Sequence, residues 1–256
     1  MQIIEQIHAA LDHNKFVLYY QPIVTLTTEG HKPYSYEFLI RMIGSNGELV
    51  PPGVFLGVAE RYGLMPRIDQ WVVNEAFDWL EDNDIQRKGL QCININLSGL
   101  SINDDDWIET LVHEIVVREI EPSQICFEIT ESSALHKSAL GNLNSLRSIG
   151  VRLSLDDFGS GFSSFEYLEH LPVDQVKIDG AFIRDLDSNH THQEFIRAIA
   201  AMCNALDKFT VGEFVENEAS MRKLRELGVH AAQGYHVAMP APLPRKSPEG
   251  LLEQVA

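Results

Sequence analysis

Residues 125–179 read ICFEITESSALHKSALGNLNSLRSIGVRLSLDDFGSGFSSFEYLEHLPVDQVKID. Three short runs rich in β-branched and aromatic residues stand out in it, Ile125 to Thr130, Val151 to Asp156 and Gln175 to Asp179, with longer amphipathic stretches between them. Within each run the residues alternate. Glu128 and Thr130 oppose Phe127 and Ile129; Arg152, Ser154 and Asp156 oppose Val151, Leu153 and Leu155; Lys177 and Asp179 oppose Val176 and Ile178. A strand sends successive side chains to opposite faces, so each run offers one apolar and one polar face.

The pattern extends in both directions along the chain. Further runs are Phe16 to Leu26, Tyr34 to Arg41, Gln91 to Leu97, Phe209 to Glu213 and a short one at His230 to Gly234, which makes eight. Ser35, Glu37, Leu39 and Arg41 oppose Tyr36, Phe38 and Ile40, and Asn94 and Asn96 oppose Ile93, Ile95 and Leu97. Between runs, Ile68, Trp71, Val72, Ala76, Trp79 and Leu80 share one helical face, as do Phe195, Ile199, Met202, Cys203 and Leu206. Eight βα units of about 30 residues match the roughly 250 residues of an α/β (β/α)8 TIM-like barrel. A single domain over residues 1–256 is expected, with 1–15 as an N-terminal helical lead-in and the Pro-rich tail 240–256 as a cap or exit.

Composition narrows the function. The chain carries 37 acidic and 20 basic residues, a net charge of −17. Nucleic-acid binding is driven by Lys and Arg displacing counterions, so a duplex-binding role is excluded. Three cysteines and no secretory leader fit a reducing, cytoplasmic setting. No apolar stretch approaches the roughly 18 residues of a membrane span, so no membrane contact is expected of the domain itself. His190 and His192, the one close histidine pair, read as solvated residues of a polar connection.

In a barrel, one parity points into the lumen, and enzyme sites gather at the C-terminal rim of the strands. Glu37, Asn96, Glu128, Asp156, Asp157, Lys177 and Glu213 would converge there. With Glu216 and Arg41, six acids face two bases, leaving four negative charges that two divalent cations would neutralise. Without cations such carboxylates are driven to protonate. Oxygen ligands with one amide, and no His or Cys pattern, favour magnesium or manganese. Paired cations are the usual arrangement for in-line displacement at phosphorus, which makes phosphodiester hydrolysis the leading reaction class.

These residues lie in motifs that resemble the EAL domain, the cyclic di-GMP phosphodiesterase module of bacterial signalling. The landmarks are YQPIV at Tyr20, YEFLIR around Glu37, INLS around Asn96, FEITE from Phe127 to Glu131, DDFGSGFSS from Asp156 to Ser164, KID from Lys177 to Asp179, GEFVE from Gly212 to Glu216, and QGY at Gln233. The resemblance implies a barrel whose first strand runs antiparallel and hydrolysis of cyclic di-GMP to linear pGpG. One metal would sit on Glu37, Asn96, Glu128 and Asp156; the second would share Asp156 and add Asp157 and Glu213. Calcium is expected to bind without supporting turnover. Lys177 would orient the attacking water, with Asp156 and Glu213 also counted as catalytic. Arg41 would contact phosphate, and Gln21 and Gln233 would line the substrate site. Glu216 and Asp179 would act from behind the ligands. Asp157 to Ser164, including Ser160, would form a mobile loop anchored by Glu131 and leading to a homodimer interface. Regulatory domains outside this chain are expected partners.

The chain departs from the family pattern at several places. Phe38 replaces the signature alanine on the outward parity, where it should pack against helices. Ser160 and Phe162 replace Thr and Tyr, Phe214 stands where Gly is usual, and HVAMP follows QGY. Phe214 is expected to reshape the approach to the second metal or to line a base pocket. Two other readings compete: an EAL-like domain that binds cyclic di-GMP or a protein without turnover, and a different barrel enzyme such as a glycoside hydrolase or an enolase-like lyase.

Overall fold

A computed structural model of the chain describes residues 2–27, 30–85, 89–135, 137–159 and 165–244. In chain order the elements begin with α1 (Gln2–Asp12), β1 (Phe16–Thr25), β2 (Pro33–Ile43) and β3 (Leu49–Val50). α2 (Pro52–Arg61), α3 (Met65–Asp82), β4 (Cys92–Asn96), α4 (Gly99–Ile102) and α5 (Asp105–Val117) follow. Then come β5 (Ile125–Thr130), α6 (Glu131–Ala134), α7 (Lys137–Ser148), β6 (Arg152–Phe158), α8 (Phe165–His170) and β7 (Gln175–Ile178). α9 (His190–Ala205), β8 (Phe209–Gly212), α10 (Glu218–Glu226), β9 (Ala231–Ala232) and β10 (Ala241–Pro242) complete the order.

All eight expected strands are present, and they close on themselves. β2, β4, β5, β6, β7, β8 and β9 pair in parallel in that order, while β1 pairs antiparallel with both β2 and β9 and so seals the barrel. The reversed first strand follows from chain length. Residues 26–32 between β1 and β2 suffice for a hairpin, whereas a parallel crossover needs a dozen or more. β3 extends the outer end of β2, and the start of the Pro-rich tail adds β10 to β1 through Tyr19↔Pro242.

The apolar parity of each strand packs against the helices. Tyr36, Ile93, Ile95, Phe127, Ile129, Leu153, Leu155, Val176 and Ile178 are buried in one core with Phe55, Phe77, Leu111, Leu143 and Ile196. Phe38 lies there too, its ring edge-on to Trp79 at 5.3 Å, as its parity required. A small second cluster, Ile23, Val211 and Ala231 with Tyr34 and Phe209, plugs the lumen. Helices start where the sequence supplies caps: Asp104, Asn189 and Asn217 accept from the backbone N–H of Trp107, His192 and Ser220.

Two expectations need correcting. Phe195 is half exposed, because the buried stripe of α9 runs through Ile196, Ile199, Ala200 and Cys203 and leaves Phe195 edge-on to Phe182. His190 and His192 belong to the first turn of α9, not to a connection, and His192 Nδ1 lies 2.6 Å from Asp185 Oδ1. No helix among the described residues is long and apolar enough to cross a membrane.

Candidate active site

The site grows around one buried cation. Lys177, the inward residue of β7, is 1% exposed, and its Nζ lies 2.8 Å from Glu213 Oε1, 2.9 Å from Glu128 Oε2, 3.1 Å from Asp156 Oδ1 and 3.4 Å from Glu37 Oε2. Those carboxylates arrive from β5, β6, β2 and the residue after β8. Glu37, Glu128 and Asp156 sit on the inward parity read from the sequence, and Glu213 directly follows β8, so the barrel wall carries them to one point.

Asp157 is the exception to parity, and the backbone accounts for it. Between β6 and β7 the register slips, Leu155 facing Val176 but Phe158 facing Ile178, so β6 holds one extra residue. Asp157 takes up that residue with φ +54°, in the left-handed region. A bulge of this kind re-aims a side chain, and here it lets two successive aspartates serve one cavity. Carboxylate oxygens of Asp156, Asp157 and Glu213 lie within 4.8 Å of one another.

Amides hold the acids in orientation. Asn96 Nδ2 donates to Glu37 Oε1 at 2.8 Å, and Gln233 Nε2 donates to Glu37 Oε2 at 2.6 Å and to Gln21 Oε1 at 3.1 Å. Gln21 in turn donates to the Ala238 carbonyl. Asn94, read as inward but passed over as a site residue, donates to Glu128 Oε1 at 2.7 Å. Asp69 was missed entirely. Buried in α3, it accepts from Ser98 N, Ser98 Oγ and Ser101 Oγ at 3.1, 2.5 and 2.6 Å, clamping the turn just after Asn96. The signal was available, since a lone acid interrupts the apolar stripe of Ile68 and Val72.

The electrostatics are those of an acid cluster short of cations. Burial, with Glu37 adding to it, pushes Glu128 well above the usual carboxylate range, and burial lifts Glu213 to about 8 despite Lys177. Asp157 is raised by burial and by Asp156. Burial also acts upward on Glu37, but the charge of Lys177 and the amides of Gln233 and Asn96 outweigh it and hold this acid below its ordinary value. Burial opposes the Lys177 ammonium, yet Asp156, Glu128, Glu213 and Glu37 together push it well up. Gln233 Oε1, though buried, has no hydrogen-bond partner, and Asp156 Oδ1 is met by the Lys177 ammonium at 3.1 Å. Three carboxylates whose oxygens lie within 4.8 Å of one another, with one ammonium among them, fit a divalent cation with oxygen ligands.

Two cavities meet at Glu37 and Leu39. One, about 300 Å³, holds Asp156, Asp157, Lys177 and Glu213 with Gln21, Arg41, Phe214, Glu216 and Gln233 on its walls. Arg41 lies over the Tyr19 ring at 5.2 Å and donates to the Ile40 carbonyl. The other, about 560 Å³, runs past Asn96 and Asp69 between Met65, Ile68 and Val72. Phe214 adopts φ +50° and rests against Gly180, where any Cβ would collide with its ring, while the Arg184 guanidinium covers it at 4.9 Å. Glu216 is exposed on the rim, and Asp179 closes the turn after β7 by accepting from Ala181 N at 2.6 Å. Glu131 is buried, and its Oε2 accepts from Gly159 N at 3.3 Å. Ser160 and Phe162 lie outside the described residues.

Comparison with known proteins matches this geometry. The family model described as the EAL domain matches residues 4–240. A relative in Shewanella oneidensis, cyclic di-GMP phosphodiesterase PdeB, is 40% identical over 93% of this chain, which spans 28% of that protein; PdeF of Escherichia coli is 33% identical over 94%, spanning 32%. Among solved structures, the PaMucR phosphodiesterase in complex with c-di-GMP superposes with a TM-score of 0.86 at 32% identity, covering 94% of this chain and 98% of that one. The FimX EAL domain of Pseudomonas aeruginosa bound to c-di-GMP gives 0.84 at 28% identity, with 94% and 97% covered. Five acids, an amide and a lysine on one barrel mouth are thus accompanied by a match along nearly the whole chain, and the chain belongs to the EAL domain family.

Proposed function

We propose that the chain is a cation-dependent phosphodiesterase that opens cyclic di-GMP to linear pGpG. The observation that carries this reading is the convergence of Glu37, Glu128, Asp156 and Glu213 on Lys177, with Asp157 beside them. Glu37, Asn96, Glu128 and Asp156 would hold one divalent cation, and Asp156, Asp157 and Glu213 a second, magnesium or manganese. Cations so placed supply Lewis acidity toward phosphoryl oxygens and water of lowered pKa.

The chain's own residues do the rest. Burial raises Glu213 and Glu128, so cation loading would be coupled to proton release from this cluster. Lys177, freed from part of its carboxylate ring, keeps its charge and can direct Nζ protons at the incoming water and the developing negative phosphorus centre. Arg41, already oriented over Tyr19, offers a forked donor to the phosphate oxygens. The larger cavity combines apolar walls at Leu56, Met65, Ile68 and Val72 with polar groups such as Asn96, Ser98 and Thr130, which suits one nucleobase while the phosphodiester lies over the acids.

Relatives are about three times as long as this chain, which supports regulatory domains alongside it, and the resemblance in segment 157–164 supports a homodimer. The test is purified protein with cyclic di-GMP under magnesium, manganese and calcium, with products separated. Formation of pGpG under magnesium or manganese, and binding alone under calcium, is expected. Binding without product under every cation would favour the receptor reading instead.

A further inference from the structure

Beneath the acid centre a run of polar groups leads away from it into the barrel. Asn94 is fully buried on β4, and its Nδ2 donates to Glu128 Oε1 at 2.7 Å. The other oxygen of that carboxylate, Oε2, faces Lys177. One register step below, the Cys92 thiol lies 3.6 Å from Asn94 Oδ1 and donates to it, and Cys126 on the neighbouring strand is hydrogen-bonded to Cys92. Both thiols are buried and free.

The order of donors gives this run a direction. The Cys92 thiol at Oδ1 and the Glu128 oxygen at Nδ2 agree on one orientation of the Asn94 amide, with its NH2 toward Glu128. An amide pointing there occupies Oε1 and leaves Oε2 as the ligating atom. Carboxylate ligands elsewhere are oriented by such outer hydrogen bonds, whose loss typically lowers metal affinity about 10–100-fold.

We infer that Asn94 is a positioning residue that presents Glu128 through one oxygen to a divalent cation, and that Cys92 sets the orientation of its amide. The inference rests on the proposed cation-dependent function. Manganese binding, read by the loss of free-ion electron paramagnetic resonance signal, is the direct probe, with circular dichroism and unfolding curves to confirm folding. Asn94→Leu keeps the volume and removes the donor; its manganese affinity should fall about 10–100-fold. Cys92→Ser, which keeps a donor, should retain wild-type affinity, whereas Cys92→Val should lose affinity in the same direction as Asn94→Leu. A folded Asn94→Leu protein with wild-type affinity overturns the inference. Should that variant not fold, equal affinities in Cys92→Val and Cys92→Ser overturn it. Failure of the wild-type protein to bind manganese at all would instead remove the cation-dependent function, and this role with it.

Discussion

Lys177 Nζ lies 2.8 Å from Glu213 Oε1, and the lysine is only 1% exposed. The ammonium thus stands where the acids most need positive charge. Replacing it by Met leaves a buried acid cluster without a counterion. Unpaired buried charge costs about 3–5 kcal/mol, so cation-free Lys177→Met should melt well below wild type. Manganese should restore more of the loss than it adds to the wild-type protein, while kcat falls about 100-fold or more through the missing transition-state contact. Scanning fluorimetry with and without manganese, paired with pGpG formation, checks both parts; an unchanged kcat removes Lys177 from the chemistry.

Asp156 makes the opposite point. Its Oδ1 lies 3.1 Å from Lys177 Nζ, yet its charge raises both Asp157 and Glu213. In the cation-free protein its attraction to Lys177 is set against its repulsion of those two acids. Asp156→Asn should therefore change stability little in the presence of chelator, the lost pair with Lys177 being offset by relieved repulsion of Asp157 and Glu213. Turnover should vanish, because both proposed cations lose a ligand. Chemical denaturation in EDTA and a product assay test the pair of outcomes, and residual turnover near wild type contradicts the bridging role.

Much of this could be read before any coordinates. The parity of Glu37, Glu128, Asp156 and Lys177 placed them in the lumen because a strand's period is fixed by its backbone. Periodicity carries no strand direction, so β1 was reversed only by resemblance, although residues 26–32 are too few for a crossover. Asp157 broke parity because a bulge is a backbone event without an apolar pattern. Asp69 left a trace in the apolar stripe of Ile68 and Val72, but its partners did not: Ser98 and Ser101 lie some 30 residues on in sequence and meet it only when the chain is folded.

The raised carboxylates impose a pH dependence on stability. Glu213 titrates near 8 in the folded cation-free protein and near the ordinary value of 4.5 unfolded, so between these limits the folded state binds the extra proton. Stability falls as pH rises wherever the native state holds more protons. Glu128 and Asp157 shift the same way. The lowered Glu37 gains its stability above 4.5 and loses it only below, and Lys177 contributes fully throughout this window. Cation-free protein should therefore lose stability from about pH 4.5 to pH 8, by a few kcal/mol. Glu213→Gln should flatten the slope, and saturating magnesium should do so in the wild type. Urea midpoints at pH 5, 6.5 and 8 in EDTA (about these values suffice to span the transition) decide it; a midpoint that rises with pH would be inconsistent with acids held protonated.

Phe214 is the departure from family pattern with a visible structural cost. A left-handed conformation costs a non-glycine residue about 1–2 kcal/mol, and the contact with Arg184 returns about 0.5–1 kcal/mol of that. Phe214→Gly should accordingly leave the melting temperature nearly unchanged. The ring is 49% exposed and walls the cavity beside Glu213, so its gain lies in what it offers a ligand. Stacking of a base on an aromatic side chain contributes about 1–3 kcal/mol. In Phe214→Gly the KM for cyclic di-GMP should rise about 5-fold or more, with kcat little altered, while Phe214→Trp keeps the wild-type KM. Steady-state kinetics on the three proteins tests this, and a lowered kcat at unchanged KM would show that the ring serves Glu213 and the cation beside it, not the base.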